Sequence, residues 1–479
     1  MDKKDFFILS FILIIALALR LYRITTPLAD LHSWRQADTA AVARNFVRGG
    51  FDLLHPRYDD LSSIESGKEN PQGYRMVEFP IYNALFATLY NAMPLLPIEV
   101  YGRLTSVFSS LVITTVIYLL LRKEVNQLAA TVGSLAYASL PFSVFFSRTV
   151  LPETTALAFV MLSIYSLYSS LDGVGRTKKI ILYVGSLVCF AISLLIKPTT
   201  IFYALVLVYL FYKTYRGKVF TKLPFYLYFL IGIIPLIAWR LYIKSYPEGI
   251  PVNDWLLTKV NTYQGLQIIF FRPAFFRWIF YERIATLILG GYGIFFFLLG
   301  IVKKPRRYFF HTFLAGALLY LFTFQGGNVQ HEYYQILILP PIAVFIGLGV
   351  EFLLSRSKNT FHLAFTYLMI FMVTAFTISF SYYKVKDYYN YSSDLTQIGK
   401  VIQTLTLPND RIATDTTGDT TLLYLSDRKG TPALHKDPAT LRELGYKYMV
   451  IFNKDYISDL KSKNFVSVFE NDKFTMFLL

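Results

Sequence analysis

Eleven apolar runs, each of roughly the length an α-helix needs to cross a bilayer, constrain this chain more than any other feature. They are Phe6–Leu21, Leu104–Leu121, Leu128–Phe146, Thr154–Leu171, Ile180–Ile196, Thr199–Tyr212, Leu223–Tyr242, Ala285–Val302, Phe309–Phe324, Gln335–Leu354 and Phe361–Tyr382. With 54% of 479 residues hydrophobic and 16% charged, the chain carries more apolar surface than one soluble interior could hide. The pattern predicts a helical polytopic membrane protein. The first run could serve as a signal peptide, but no small-residue cleavage site follows it and ten further runs do, so it reads as an uncleaved anchor.

Basic residues fall on alternate connections: Lys3/Lys4, Arg122/Lys123, Arg176/Lys178/Lys179, Lys213/Arg216/Lys218/Lys222, Lys303/Lys304/Arg306/Arg307 and Arg356/Lys358. Positive connections stay cytoplasmic, which puts the N-terminus inside. The alternation holds if Phe79–Pro94, with Tyr82, Asn83, Tyr90 and Asn91 within it, lies along the outer membrane surface as a juxtamembrane helix. The net charge of +16 is then mostly a cytoplasmic collar, and no nucleic-acid partner is expected. The localisation expected is a prokaryotic plasma membrane.

From Lys384 the character changes. The last 96 residues carry 25 charged side chains, 13 basic and 12 acidic, the balance of a soluble domain. A division into 1–383 and 384–479 follows, the second part extracytoplasmic by parity. Strand-like text at Arg411–Thr416, Tyr446–Phe452, Phe465–Phe469 and Phe474–Leu479, with helical text at Leu395–Leu407 and Ala439–Leu444, predicts a small α/β domain. The single cysteine, Cys189, excludes internal disulfides.

The outward connections collect ionic and aromatic residues that a plain loop does not need. The first, Arg23–Arg103, holds Asp30, His32, Arg35, Asp38 and Glu78; the second pairs Arg148 with Glu153; the third offers Lys197 before a proline; the fourth contains His331, Tyr333 and Tyr334. Each has an ordinary alternative. Arg148 and Glu153 could form a structural ion pair, Lys197 could snorkel, His331 and its tyrosines could be interface aromatics, and Asp38 could be a solvated acid on an amphipathic helix. A divalent cation on Asp30, His32 and Asp38 is an option, although that spacing is no established metal signature.

The order of elements resembles the polyprenyl-phosphate-dependent glycosyltransferases of the GT-C fold, family 39, which includes the protein O-mannosyltransferases and the lipid A aminoarabinose transferase. The residues carrying the resemblance are Asp38-Thr-Ala-Ala-Val-Ala43-Arg44-Asn-Phe46, Glu78-Phe-Pro80-Ile-Tyr82, Ser147-Arg148-Thr-Val-Leu-Pro-Glu153, Ile196-Lys197-Pro198 and Tyr334-Gln-Ile-Leu-Ile-Leu-Pro340-Pro341, within residues 1–350. The family's Asp-Glu pair would align with Arg35-Gln36, so the catalytic acid falls to Asp30 or Asp38, with Asp38 favoured. Glu78 stands where relatives have a basic or imidazole residue, and is a third candidate.

The resemblance implies inverting transfer of a sugar from a polyprenyl-phosphate donor to a hydroxyl on a lipid, glycan or protein acceptor, at the outer face of the membrane. A loop carboxylate would be the general base. Cations, Lys197 and Arg148 with Arg35 as a third, would meet the departing phosphate. His32, Glu153, His331, Tyr333 and Tyr334 would line the substrate site, and no cofactor is required. A lipid flippase or transporter is the alternative, disfavoured because no inverted repeat is visible. A ligase moving a whole glycan shares the fold.

Overall fold

The computed structural model describes residues 2–172, 175–252, 255–262, 265–269, 271–305, 307–360 and 362–479. Arg306 of the basic collar and Phe361 at the head of the last run lie outside them, as does the side chain of Lys358. All eleven apolar runs fall on helical stretches, and Phe79–Pro94 contains the helix Ile81–Ala92. Among the described residues, five helices are by themselves long and apolar enough to cross a membrane; the others are shorter, more polar or broken. Large apolar side chains such as Leu230 and Phe371 remain exposed on these helices, as lipid-facing surfaces require. The chain is an integral membrane protein.

Prolines account for two of the breaks. Leu140, extended (φ −56°, ψ 123°) before Pro141, splits one run into Gln127–Ser139 and Pro141–Phe146. Lys197, extended (φ −151°, ψ 105°) before Pro198, ends the helix Arg176–Ile196. In both cases the proline ring disfavours helical geometry in the residue before it. Close helix packing uses glycine: Gly300 of Ile294–Val302 and Gly349 of Leu339–Thr360 each meet a carbonyl of the other helix where a Cβ would collide.

The chain forms two compact units. One comprises Met1–Ile24, Arg103–Trp239 and Asn253–Asp387, and the other Thr25–Gly102, Arg240–Val252 and Tyr388–Leu479. This differs from a simple division at 383/384. The first long loop and Arg240–Val252 group with the C-terminal segment.

Among its described residues the first unit is helical apart from an antiparallel pair of β1 (Lys259–Thr262) and β2 (Gly265–Ile268). The second contains a five-stranded sheet of β3 (Arg411–Thr414), β4 (Gly430–Thr431), β5 (Tyr446–Ile451), β6 (Ser467–Glu470) and β7 (Thr475–Leu478), in the order β4-β3-β5-β7-β6. β3 runs parallel to β4 and β5, while β7 is antiparallel to β5 and β6. Alternate residues bury opposite faces. Ile412, Val450 and Met476 pack under the helix Ser393–Leu405, and Ala413, Met449, Ile451 and Phe477 pack with Leu441 and Leu460. The first long loop joins this sheet at its edge, because Asp60 bridges in parallel to Gly430. Only glycine fits at 430, since a Cβ there would strike the Ile412 carbonyl.

Candidate active-site groups

In the sheet-containing unit, the helix Ser33–Gly49 carries most of the candidates. His32 heads it in left-handed backbone (φ 56°), a conformation uncommon outside glycine. Asp30, on the turn before, is buried and accepts a hydrogen bond from Gln36 Nε2 at 2.7 Å. The same amide nitrogen donates to the Leu31 carbonyl at 3.0 Å, so Gln36 clamps the turn. Arg35 pairs with Glu78 at 2.6 Å.

Asp38 is set differently from a solvated acid on an amphipathic helix. Its side chain is buried, its Oδ1 accepts from Thr420 Oγ1 at 2.6 Å, and its Oδ2 faces Arg75 at 3.1 Å. Arg75 also pairs with Glu65 and lies over the Tyr58 ring. Burial pushes Asp38 up to about 7 against the opposing pull of Arg75, and burial likewise pushes Asp60 up to about 6. Arg75 and Thr420 were not among the sequence candidates. Nothing local marks them, since each acquires its partner only through the tertiary fold.

These shifts carry a sign. Both folded values lie above the ordinary carboxylate value of 3.8, so between about pH 4 and pH 7 the folded unit keeps protons that the unfolded chain releases. Stability from this source falls as pH rises through that window and is level above it. Thermal unfolding of the detergent-solubilised protein should therefore show midpoints falling from pH 4 to 7, with a shallower fall in Asp38→Asn. An unchanged slope in the variant would mean that Asp38 is ionised throughout.

In the helical unit, Glu153 and Lys197 form an ion pair at 2.7 Å. The sequence suggests Glu153 with Arg148, and the helix geometry explains the exchange. Glu153 opens the helix Glu153–Ser170 while Lys197 closes Arg176–Ile196. The two helices pack as a hairpin, so the first residue of one lies beside the residue after the other. Arg148 instead donates to the carbonyls of Tyr22 (3.0 Å) and Arg23 (2.9 Å). Arg103 donates to Ile24 O at 2.8 Å, and Arg20 to Ala138 O at 2.8 Å and Ser147 Oγ at 2.7 Å. Three buried arginines thus hold the exit of the first helix, and two of them, Arg20 and Arg103, were not singled out from the sequence. Lys197 Nζ also lies 5.7 Å from the Tyr334 ring centroid. That ring stacks on Tyr333 at 4.8 Å, which stacks on His331 at 5.3 Å.

The candidates therefore gather in two sets. Asp30, His32, Arg35, Asp38 and Glu78 belong to the sheet-containing unit; Arg148, Glu153, Lys197, His331, Tyr333 and Tyr334 belong to the helical one. Among the described residues, no three His, Cys, Asp or Glu side chains are grouped as a metal would need, Asp30, His32 and Asp38 included.

Such a bundle of membrane helices with an ionic first loop and a small appended sheet is the architecture of the GT-C class of membrane glycosyltransferase folds, and the chain has that fold. The structure is similar to that of ArnT from Cupriavidus metallidurans bound to undecaprenyl phosphate (TM-score 0.68, 13% identity, covering 98% of this chain and 97% of that one). It is also similar to the oligosaccharyltransferase AglB from Archaeoglobus fulgidus, in complex with an inhibitory peptide and a dolichol-phosphate (0.60, 11%, 94% and 69%). A third likeness is to the mycobacterial arabinofuranosyltransferase AftD (0.59, 11%, 100% and 42%). In sequence, residues 97–239 match the family described as dolichyl-phosphate-mannose-protein mannosyltransferase. No curated protein matches the chain.

Proposed function

We propose that this protein is an inverting glycosyltransferase that moves a sugar from a polyprenyl-phosphate donor to an acceptor hydroxyl at the outer face of the membrane. Asp30 is the general base. It takes the proton of the acceptor hydroxyl as that oxygen bonds to the anomeric carbon; the bond from that carbon to the phosphate oxygen breaks, and polyprenyl phosphate leaves with the electron pair. Asp38, favoured from sequence alone, is given a structural role here because both its oxygens face fixed partners in the protein core. Lys197, paired with Glu153 and beside Tyr334 in the helical unit, is the cation assigned to the developing phosphate charge. Arg148 acts through the backbone it holds. Glu78 positions Arg35. No cofactor enters this scheme.

The observation that carries the proposal is the buried Asp30 carboxylate clamped by Gln36 on the turn before the helix Ser33–Gly49, in a chain sharing its fold almost end to end with a protein that holds undecaprenyl phosphate. The family matched by residues 97–239 is named for a dolichyl-phosphate sugar donor. The decisive experiment supplies purified protein with a radiolabelled polyprenyl-phosphate sugar and candidate acceptors. Transfer of one sugar supports the proposal, transfer of an oligosaccharide block indicates a ligase, and lipid movement without transfer indicates a flippase.

Orientation has its own test. Ser62 and Ser426 sit in the outward-assigned segments but are buried, so a cysteine probe belongs elsewhere. A cysteine at the exposed Ser462 should react with an impermeant reagent applied from outside, and one at the exposed Ser355 should not. The reverse pattern would invert the topology.

A further inference from the structure

The sheet-containing unit encloses a second feature, distinct from the Asp30 turn. A cavity of about 760 Å³ opens among Arg48, Arg57, Asp59, Asp410, Asp427 and Lys429, with Arg411 and Arg428 also on its wall. Arg48 lies thirteen residues after Arg35 on the helix Ser33–Gly49, which at 1.5 Å per residue separates the two helix ends by roughly 20 Å. The size is that of a small-molecule pocket.

Five cations line this cavity against three carboxylates, and the carboxylates are already committed. Asp427 pairs with Arg44 and Arg48, Asp59 pairs with Arg44, and Asp410 pairs with Lys447. Arg428 is consumed by its neighbours, donating to Thr406 Oγ1 and to the carbonyls of Thr406 and Gln403. Arg411 donates to the Leu444 carbonyl at 3.0 Å, which leaves Lys429 and Arg57. Among the described residues the Lys429 ammonium makes no hydrogen bond or ion pair, and the Arg57 guanidinium meets only the face of Tyr74. Lys429 is half-buried, and burial lowers its pKa despite the nearby Asp59. A partly desolvated cation without a counter-ion is costly, and an incoming anion removes that cost. The amides of Asn45, Gln72 and Asn409 on the same wall supply donors and acceptors suited to hydroxyls.

We propose that this cavity is a binding site for an anionic saccharide, a sugar bearing a phosphate or carboxylate held by Lys429 and Arg57. The site goes beyond the transfer reaction and does not depend on it, so its test reads binding directly. Full-length protein in detergent would be titrated calorimetrically with inorganic phosphate, glucose 6-phosphate, glucuronate and neutral glucose. The charged probes should bind, the sugar-bearing ones more tightly than inorganic phosphate, and glucose should not. Phosphate-selective binding would assign a phosphorylated ligand and carboxylate-selective binding an acidic sugar, each in support. Lys429→Met, which keeps the aliphatic stem, and Arg57→Ala should each weaken binding by about tenfold or more, as loss of a charge-assisted contact does. Lys454→Ala, an exposed change elsewhere on the unit, should not. Equal binding of glucose, unaltered affinity in both Lys429→Met and Arg57→Ala, or no binding of any charged probe at millimolar concentration would overturn the proposal.

Discussion

Asp30→Asn is expected to slow sugar transfer by about 10²–10⁴-fold, the contribution of a well-placed general base, while leaving the folded protein and its affinity for the lipid donor nearly unchanged. The amide keeps the size of the carboxylate and still presents an oxygen to Gln36 Nε2, which now donates to Asp30 at 2.7 Å, so what it removes is basicity. Asp38→Asn is the necessary companion. Because Asp38 is pushed up to about 7 by burial, its neutral form is already accessible near neutrality; an amide there should cost the fold little and slow transfer only a few-fold. Both variants are to be assayed together with one donor and one acceptor. An inactive Asp38→Asn beside an active Asp30→Asn would hand the proton to Asp38. If both stay within a few-fold of wild type, Glu78→Gln becomes the deciding variant, and its full activity would end the carboxylate-base mechanism.

What could be read in the sequence, and what could not, divides by how far apart the interacting residues lie. The helices were legible because each needs only a continuous apolar run, and the strands around Arg411, Tyr446 and Thr475 because β-branched and aromatic residues cluster locally. β4, two residues long at Gly430–Thr431, is too short to leave such a signal. The broken run at Leu140–Pro141 was marked by its proline, which the apolar content outweighed. Most of the candidate site residues were visible as ions beside apolar runs, yet their partners were not. Glu153 and Lys197 are 44 positions apart, Asp38 and Thr420 are 382 apart, and the loop reaches the sheet through Asp60 and Gly430. Contacts of that range depend on the whole fold, and without aligned relatives one sequence carries no record of them. The same holds for the cavity around Lys429, whose wall is assembled from residues 45–72 and 408–429.

The Glu153–Lys197 pair should produce the largest effect on stability, and it separates a structural role from a catalytic one. Sequence alone suggests that Lys197→Ala would spare folding, since a snorkelling or phosphate-binding lysine can be removed from a surface. In the structure Lys197 is buried and Glu153 fully so, and removing either partner strands the other charge, a loss of about 3–5 kcal/mol for a buried pair. Lys197→Ala and Glu153→Ala should therefore each lower the thermal midpoint and the yield of folded protein. The double replacement Glu153→Leu with Lys197→Met fills the space without charge, and should recover most of that stability. Activity then decides the role. If Lys197 only balances Glu153, the double variant regains transfer along with stability. If Lys197 stabilises the leaving phosphate, the double variant folds but stays slow by one to two orders of magnitude, about 1.5–3 kcal/mol of lost charge-assisted contact. We expect the second result, because a lysine fixed by proline at a helix end, beside Tyr334 and with Glu153 holding its ammonium, is oriented before any donor arrives, and a cation already in place stabilises a developing anion without reorganising when the bond breaks.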